Sequence, residues 1–354
     1  MSDPTPFSLF VPGRLCLFGE HSDWAGSMRV DDPRIAPGAC IITGTDQGLT
    51  ATAAAAPHFE MHSQLPDGAA EGPFRVEMDG AALRAAAHTG GFFSYAAGVA
   101  AEVWDRCRPG GVRIAVTHMD LPLRRGLSSS AAVCVLTARA FNQVHRLGLG
   151  VRDEMEIAYR GERAAGSQCG RMDQGCAYGR RLVLLEFDGD ALGVALLSAA
   201  RPLYLLIVDL LHRKDTRRIL ADLNTRFRAA GDARGLALRD ALGRRNLETI
   251  AAARAALEAG DAAAVGALMT EAQARFDRDV APACPSELHA PRLHALLTDV
   301  TVRALTWGGK GVGSQGDGAA QLVCRDAAAR AALVTHLDGR GAVRCLPLTI
   351  EPSR

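Results

Sequence analysis

Apolar and β-branched residues alternate or run together over residues 7–19 and 39–55, which predicts two strands separated by a polar turn region. Residues 56–90 carry more proline, glycine and acidic side chains, and predict loops with short strands. From residue 92 to 106, Tyr95, Val99, Ala100 and Val103 recur at the spacing of one helix face. Residues 111–116 predict a strand. A Pro-Leu-Arg-Arg-Gly turn follows, and then a long helix starting near Ser129. Another helix is expected over 154–165, with strands over 181–187 and 203–209.

The character then changes. Residues 215–280 are rich in Ala, Leu and Arg with helical periodicity, and Gly231, Gly235, Gly260 and Pro282 read as breaks. From Val302 onward the chain returns to glycine-rich turns, strands over 320–324 and 343–350, and a helix over 326–337. This shift sets a boundary between residues 198 and 199, giving domains of 1–198 and 199–354. The length of 354 residues exceeds what one core usually serves, which agrees with two domains.

Charge narrows the class of partner. The net charge is +1, without the basic excess expected of a protein built for nucleic acid or a membrane surface. The longest apolar stretches stop well short of the ~20 residues that span a bilayer. The first residues lack the basic start and apolar stretch of a signal peptide. Nine scattered cysteines with no CxxC pair argue for a reducing compartment over a disulfide or zinc framework. A cytoplasmic protein is expected, with neither nucleic acid nor membrane as partner. Its oligomeric state is not legible.

Three segments carry candidate chemistry. In the first, a strand ends in Pro12-Gly13-Arg14 and continues to Gly19-Glu20-His21-Ser22-Asp23. One guanidinium, one imidazole and two carboxylates offer the donors and acceptors that a polyhydroxylated ligand needs. A solvated loop with surface ion pairs reads the same way. In the second, Gly126-Leu127-Ser128-Ser129-Ser130 runs straight into a helix, setting hydroxyls beside unpaired backbone N–H groups at the positive end of the dipole. Ordinary serine capping competes with that account. The third is glycine-dense, from Trp307-Gly308-Gly309-Lys310-Gly311 to Gly318. Residues 311–316 match GxGxxG, but a strand follows where the dinucleotide fingerprint requires a helix. No G-x-x-x-x-G-K-[ST] motif is present, which excludes a P-loop enzyme.

In this order the three motifs resemble those of the GHMP kinase superfamily, which includes galactokinase, homoserine kinase, mevalonate kinase and phosphomevalonate kinase. A fourth segment, Cys169-Gly170-Arg171-Met172-Asp173-Gln174, resembles the CGxMDQ of galactokinases. Residues 92–98, 266–269 and 285–288 resemble that branch more loosely.

The resemblance implies an α+β GHMP kinase two-domain fold. Its N-terminal domain would be like ribosomal protein S5 domain 2, and its C-terminal domain ferredoxin-like. It implies an enzyme: an ATP-dependent phosphotransferase that phosphorylates a hydroxyl of a sugar-like small molecule, with ATP and Mg²⁺ as cofactors. By position, Gly126, Leu127, Ser128, Ser129 and Ser130 hold the ATP phosphates, and Ser130 with Glu162 holds the metal. Asp173 would accept or orient the proton of the attacking hydroxyl, and Arg14 would stabilise the charge that develops. Glu20, His21, Asp23 and Gly170 match sugar-contacting positions. Competing readings for the pair and for the metal glutamate are a buried structural ion pair and a helix-surface side chain. Lys214 and Asp215 read as a solvated charged turn.

The sequence also departs from the pattern. Arg124 and Arg125 replace glycines before the phosphate loop, Val312, Gln315 and Asp317 alter the third motif, and Trp24 and Ser27 replace a usual Tyr and Gly. These changes bear on the substrate. A galactokinase-like sugar kinase leads. A mevalonate-type kinase would need a cation for the substrate carboxylate, and the first motif has no lysine to supply it. A catalytically silent sugar- and ATP-binding regulator is the third reading; every catalytic position it might have lost is kept.

Overall fold

The computed structural model describes residues 6–64, 70–122 and 126–352. Arg124 and Arg125 lie outside the described residues. The strands in chain order are β1 (Phe7–Phe18), β2 (Gly38–Ala56), β3 (Phe59–Gln64), β4 (Ala70–Val76), β5 (Gly111–Met119), β6 (Leu182–Asp188), β7 (Ala191–Leu197), β8 (Leu203–Asp209), β9 (Thr306–Gly311), β10 (Ala319–Cys324) and β11 (Arg344–Ile350). Two compact units form: Met1–Arg14 with Gly44–Arg180, and Leu15–Thr43 with Arg181–Arg354. The division falls inside β1 and β2, so the units are not the linear halves 1–198 and 199–354.

In the first unit the strands pair in the order β4-β3-β5-β2; β3 and β5 run parallel and the other pairs antiparallel. The helix Ser129–His145 buries almost every residue from Ala131 to Phe141, consistent with an apolar run that leaves no polar face. Helix Phe92–Cys107 meets helix Val151–Ala164 at two glycines. A Cβ on Gly98 would stand 2.2 Å from the carbonyl oxygen of Gly161, and one on Gly161 would stand 2.5 Å from the backbone of Val99. Helix Val151–Ala164 is amphipathic yet buries two carboxylates, Glu154 and Glu162. Arg139 neutralises Glu154 at 2.9 Å. Within the stretch expected as loops and short strands there is also a helix, Gly80–Ala87. Its cap Asp79 accepts from the backbone N–H groups of Ala81 and Ala82, and the helix buries Gly80, Leu83 and Ala87 along one face.

In the second unit β8, β9, β10 and β11 form an antiparallel sheet in the order β11-β8-β10-β9. Helices lie between β8 and β9 and between β10 and β11. Numbered within the sheet, that is order 4-1-3-2 with β-α-β-β-α-β connectivity, the ferredoxin-like arrangement. Among the described residues seven α-helices lie between β8 and β9, four of them capped by aspartates: Thr216–Arg228 by Asp215, Ala233–Leu242 by Asp232, Ala262–Arg275 by Asp261, and Val300–Leu305 by Asp299. Gly235 does not break its helix. It sits in the first turn, where its N–H is taken by Asp232. Gly260, at φ 70°, ends helix Arg244–Ala259 in the left-handed conformation that glycine adopts freely. One apolar core packs Met28 and Ile35 against Ile219, Leu223, Phe227 and Phe276. Another lies under β8 and β10.

The first half of the third motif is strand rather than loop. Its glycines let β9 press onto helix Ala262–Arg275: a Cβ on Gly308 would stand 2.1 Å from the Gly266 oxygen, and one on Gly266 would stand 2.5 Å from Trp307. The GxGxxG stretch is the connection of the β9–β10 hairpin, closed by Val312 N–H donating to Ala319 at 3.0 Å. No helix follows it, as the sequence argument required.

Candidate active site

In the first unit, Arg14 is the last residue before the division in β1 and is 3% exposed. Its backbone N–H donates to the Leu127 carbonyl at 3.0 Å. Gly13 permits this closeness, because a Cβ there would stand 2.9 Å from the same Leu127 oxygen. The Arg14 guanidinium pairs with the Asp173 carboxylate and donates to the Gly126 carbonyl at 3.5 Å. One residue therefore ties β1, the serine loop and the CGxMDQ segment together. Asp173 opens a short 3-10 helix, Asp173–Tyr178, and its side chain remains 28% exposed.

Beside this pair lies Glu162, only 2% exposed, so the helix-surface reading of it is wrong. Gln174 donates to its Oε2 at 2.7 Å, Ser167 to its Oε1 at 3.3 Å, and the Ser130 hydroxyl also bonds to it. Burial, with the nearby Asp173 charge adding to it, pushes the Glu162 carboxyl up to about 7; the hydrogen bonds from Ser130, Gln174 and Ser167 hold it from rising further. The thiols of Cys134, Cys169 and Cys176 line the same interior, and burial raises each of them. They pack as small apolar groups rather than nucleophiles.

The serine loop meets its helix through an unusual residue. Ser128 caps Ser129–His145 at φ 58°, ψ 48°, and its hydroxyl makes no cap bond. That oxygen is buried without a hydrogen-bond partner among the described residues, which rules out ordinary capping as the reason for this serine. Gly126, at φ 80°, turns the chain just before it. Ser129 and Ser130 keep partial exposure at the helix start, where backbone N–H groups lack intrahelical partners. Gly170, four residues past the left-handed Gly166, is partly exposed.

Glu20, His21 and Asp23 belong to the second unit. Gly19, at φ 95°, turns the chain so tightly that a Cβ would stand 2.2 Å from the Ala39 oxygen. His21 is also left-handed, at φ 68°; its Nδ1 accepts from the Trp24 indole at 3.1 Å, and its ring stacks on Phe276 at 6.1 Å. Asp23 is 3% exposed. Glu20 pairs with Lys310, which is 1% exposed and also donates to the Gly311 carbonyl at 3.2 Å.

Sequence reasoning missed this last pair, and with it the role of lysine in the chain. The protein has two lysines, Lys214 and Lys310. Lys214 is not part of a solvated turn: its ammonium donates to the carbonyls of Val312 and Gln315 in the β9–β10 connection. Both lysines brace the glycine-rich segment. Their rarity was the only local signal.

Residues 94–180 match the family model for the GHMP kinases N terminal domain. The α+β fold of the whole chain is that of the GHMP kinases. Among solved structures, the galactokinase of Lactococcus lactis complexed with galactose aligns with a TM-score of 0.76 at 17% identity, covering 99% of this chain and 95% of that one. The mevalonate kinase of L. major in complex with R-mevalonate aligns with a TM-score of 0.72 at 18% identity, over 99% of this chain and 98% of that one. The phosphomevalonate kinase of Streptococcus pneumoniae in complex with phosphomevalonate and AMPPNP has a TM-score of 0.71 at 14% identity, covering 97% and 99%. No curated protein sequence matches the chain. No helix among the described residues is long and apolar enough to cross a membrane.

Proposed function

We propose that this protein is an ATP-dependent kinase that transfers the γ-phosphate to a hydroxyl of a sugar or sugar-like small molecule. The observation that carries the reading is a single network in the first unit: Arg14 on Asp173 and Gly126, and Glu162 on Ser130 and on Gln174, the neighbour of Asp173. Phosphoryl transfer asks little covalent chemistry of a protein; it asks for positioning and for charge neutralisation. Backbone N–H groups at Ser128, Ser129 and Ser130 hold phosphate oxygens at the helix start, and the unpartnered Ser128 hydroxyl adds a donor. Gly126 and Leu127 set the turn that presents them. Asp173 orients the attacking hydroxyl and takes its proton, while Arg14 offsets the negative charge on both. Glu20, His21, Asp23 and Gly170 bind the substrate.

Ser130 and Glu162 fit Mg²⁺, which takes one or two carboxylates and completes its shell with phosphate and water. Among the described residues no three or more His, Cys, Asp or Glu side chains are placed so that they could hold a metal ion by themselves. Mg²⁺ held there neutralises phosphate charge as it develops.

A second reading, an acid substrate of the mevalonate type, is favoured by one observation. Lys310 brings to Glu20 the cation that the first motif lacks. The test is ADP release with Mg²⁺ and ATP against a panel of hexoses, pentoses, sugar acids and mevalonate. Sugar-dependent release supports the proposal. Sugar binding without release from any compound points to the silent regulator.

A further inference from the structure

Glu20 and Lys310 line a small cavity of the second unit, of about 50 Å³. Arg275, Asn246, Thr249 and Gln315 line it too, with apolar walls around them. Arg275 is 9% exposed and donates to two neutral groups, the Arg245 carbonyl at 2.9 Å and the Thr249 hydroxyl at 2.7 Å. Among the described residues no carboxylate lies within ion-pair distance of it; Glu271 and Asp279 act only from further away. Burying a guanidinium costs free energy unless an anion meets it. Lys310 spends two of its three N–H groups on Glu20 and Gly311. Among the residues that line the cavity, one carboxylate stands against two cations. Gln315 adds a second clue, since its buried side-chain oxygen has no donor among the described residues.

We propose that the substrate bears a carboxylate, received in this cavity by Arg275 with help from Lys310, and a neighbouring hydroxyl that donates to Gln315. The substrate is then a hydroxy acid, with a sugar acid as the form that matches both features. A planar guanidinium matches a planar carboxylate in two parallel hydrogen bonds. The inference rests on the reading above that Glu20 faces substrate.

The test compares matched compounds with wild-type protein: glucuronate with glucose, galacturonate with galactose, the corresponding sugar 6-phosphates, and mevalonate. Turnover is measured by ADP release and binding by calorimetry without ATP. The acid of a pair is expected to exceed its neutral twin in kcat/KM by roughly 10- to 100-fold, the range for a charged hydrogen bond. Arg275→Gln is expected to erase that preference, chiefly through KM. Arg275→Lys, which keeps the charge and loses the planar fork, is expected to retain part of it, and carries the test should the glutamine variant fail to fold. Preference for the neutral twin, an acid KM unmoved by either variant, or no binding of any acid overturns the inference. A preferred sugar phosphate overturns the carboxylate assignment. Acid binding that depends on Arg275, with no phosphorylation of any compound, sustains the inference while removing the kinase reading; turnover of mevalonate alone sustains it while removing the sugar.

Discussion

Gln174 donates its side-chain N–H to Oε2 of Glu162 at 2.7 Å, so the residue that follows Asp173 holds the buried carboxylate we assign to the metal. This bond is one of three that keep the Glu162 carboxyl from rising above about 7. Gln174→Leu removes it and raises the carboxyl further. If the ionised form is the one that works, the acid limb of the kcat/KM profile moves to higher pH by about one unit, the size expected for one hydrogen bond to a charged group. Rate profiles between pH 5.5 and 9 check this. An unmoved limb would mean that Glu162 does not govern it.

The same carboxyl has a consequence for stability. Its ordinary value is 4.5 and its folded value about 7, so between those limits the folded chain binds more protons than the unfolded one. The contribution is fully present below pH 4.5 and is lost as pH rises through 7. Glu162→Gln removes that dependence. Without metal, the variant is expected to melt above wild type at pH 8, by ~2–4 °C for each kcal/mol recovered, and to lose metal-dependent turnover. Calorimetric scans at pH 5.5 and 8 read the difference.

Helix Val151–Ala164 delivers Glu162 only because Gly161 lets it close on Val99. Gly161→Ala introduces a Cβ 2.5 Å from the Val99 backbone, a contact that cannot be relieved by a side-chain rotation. Overpacking of this kind costs ~1–3 kcal/mol. The urea midpoint is expected to fall and kcat with it, since the neighbouring carboxylate moves. An unchanged midpoint would contradict the packing argument.

Lys310→Met leaves Glu20 buried without its cation, which is expected to cost ~3–5 kcal/mol. Glu20→Gln in the same chain removes the stranded charge, so the double variant is expected to be more stable than Lys310→Met alone. Chemical denaturation of the two single variants and the double variant closes the cycle. Additive losses would show that the pair is not coupled.

What could be read in advance follows from how far each signal reaches along the chain. The long helices and β1, β2 and β8 were legible because their apolar spacing is written in neighbouring residues. The motifs stood out because the serine loop and the CGxMDQ segment are each contiguous. Helix Gly80–Ala87 was missed because its buried face, Gly80, Leu83 and Ala87, carries a single bulky apolar side chain, too little to stand out in an alanine-rich stretch. The glycines of β9 were taken for a loop because their reason is Gly266, forty-two residues before Gly308. The Lys310–Glu20 pair joins residues 290 apart, and no local pattern announces it. Of the departures in the third motif, Gln315 lines the cavity beside Lys310 and Arg275, whereas Asp317 accepts from the Leu293 N–H at 2.9 Å.

The most direct measurement is turnover of the acceptor by wild type and Asp173→Asn under saturating ATP and Mg²⁺, with nucleotide binding followed in parallel. Asparagine keeps the shape of the side chain and accepts from Arg14, but cannot take a proton. The account predicts a fall in kcat of ~10²–10⁴-fold with nucleotide affinity little changed. Turnover by Asp173→Asn within a few-fold of wild type would contradict it.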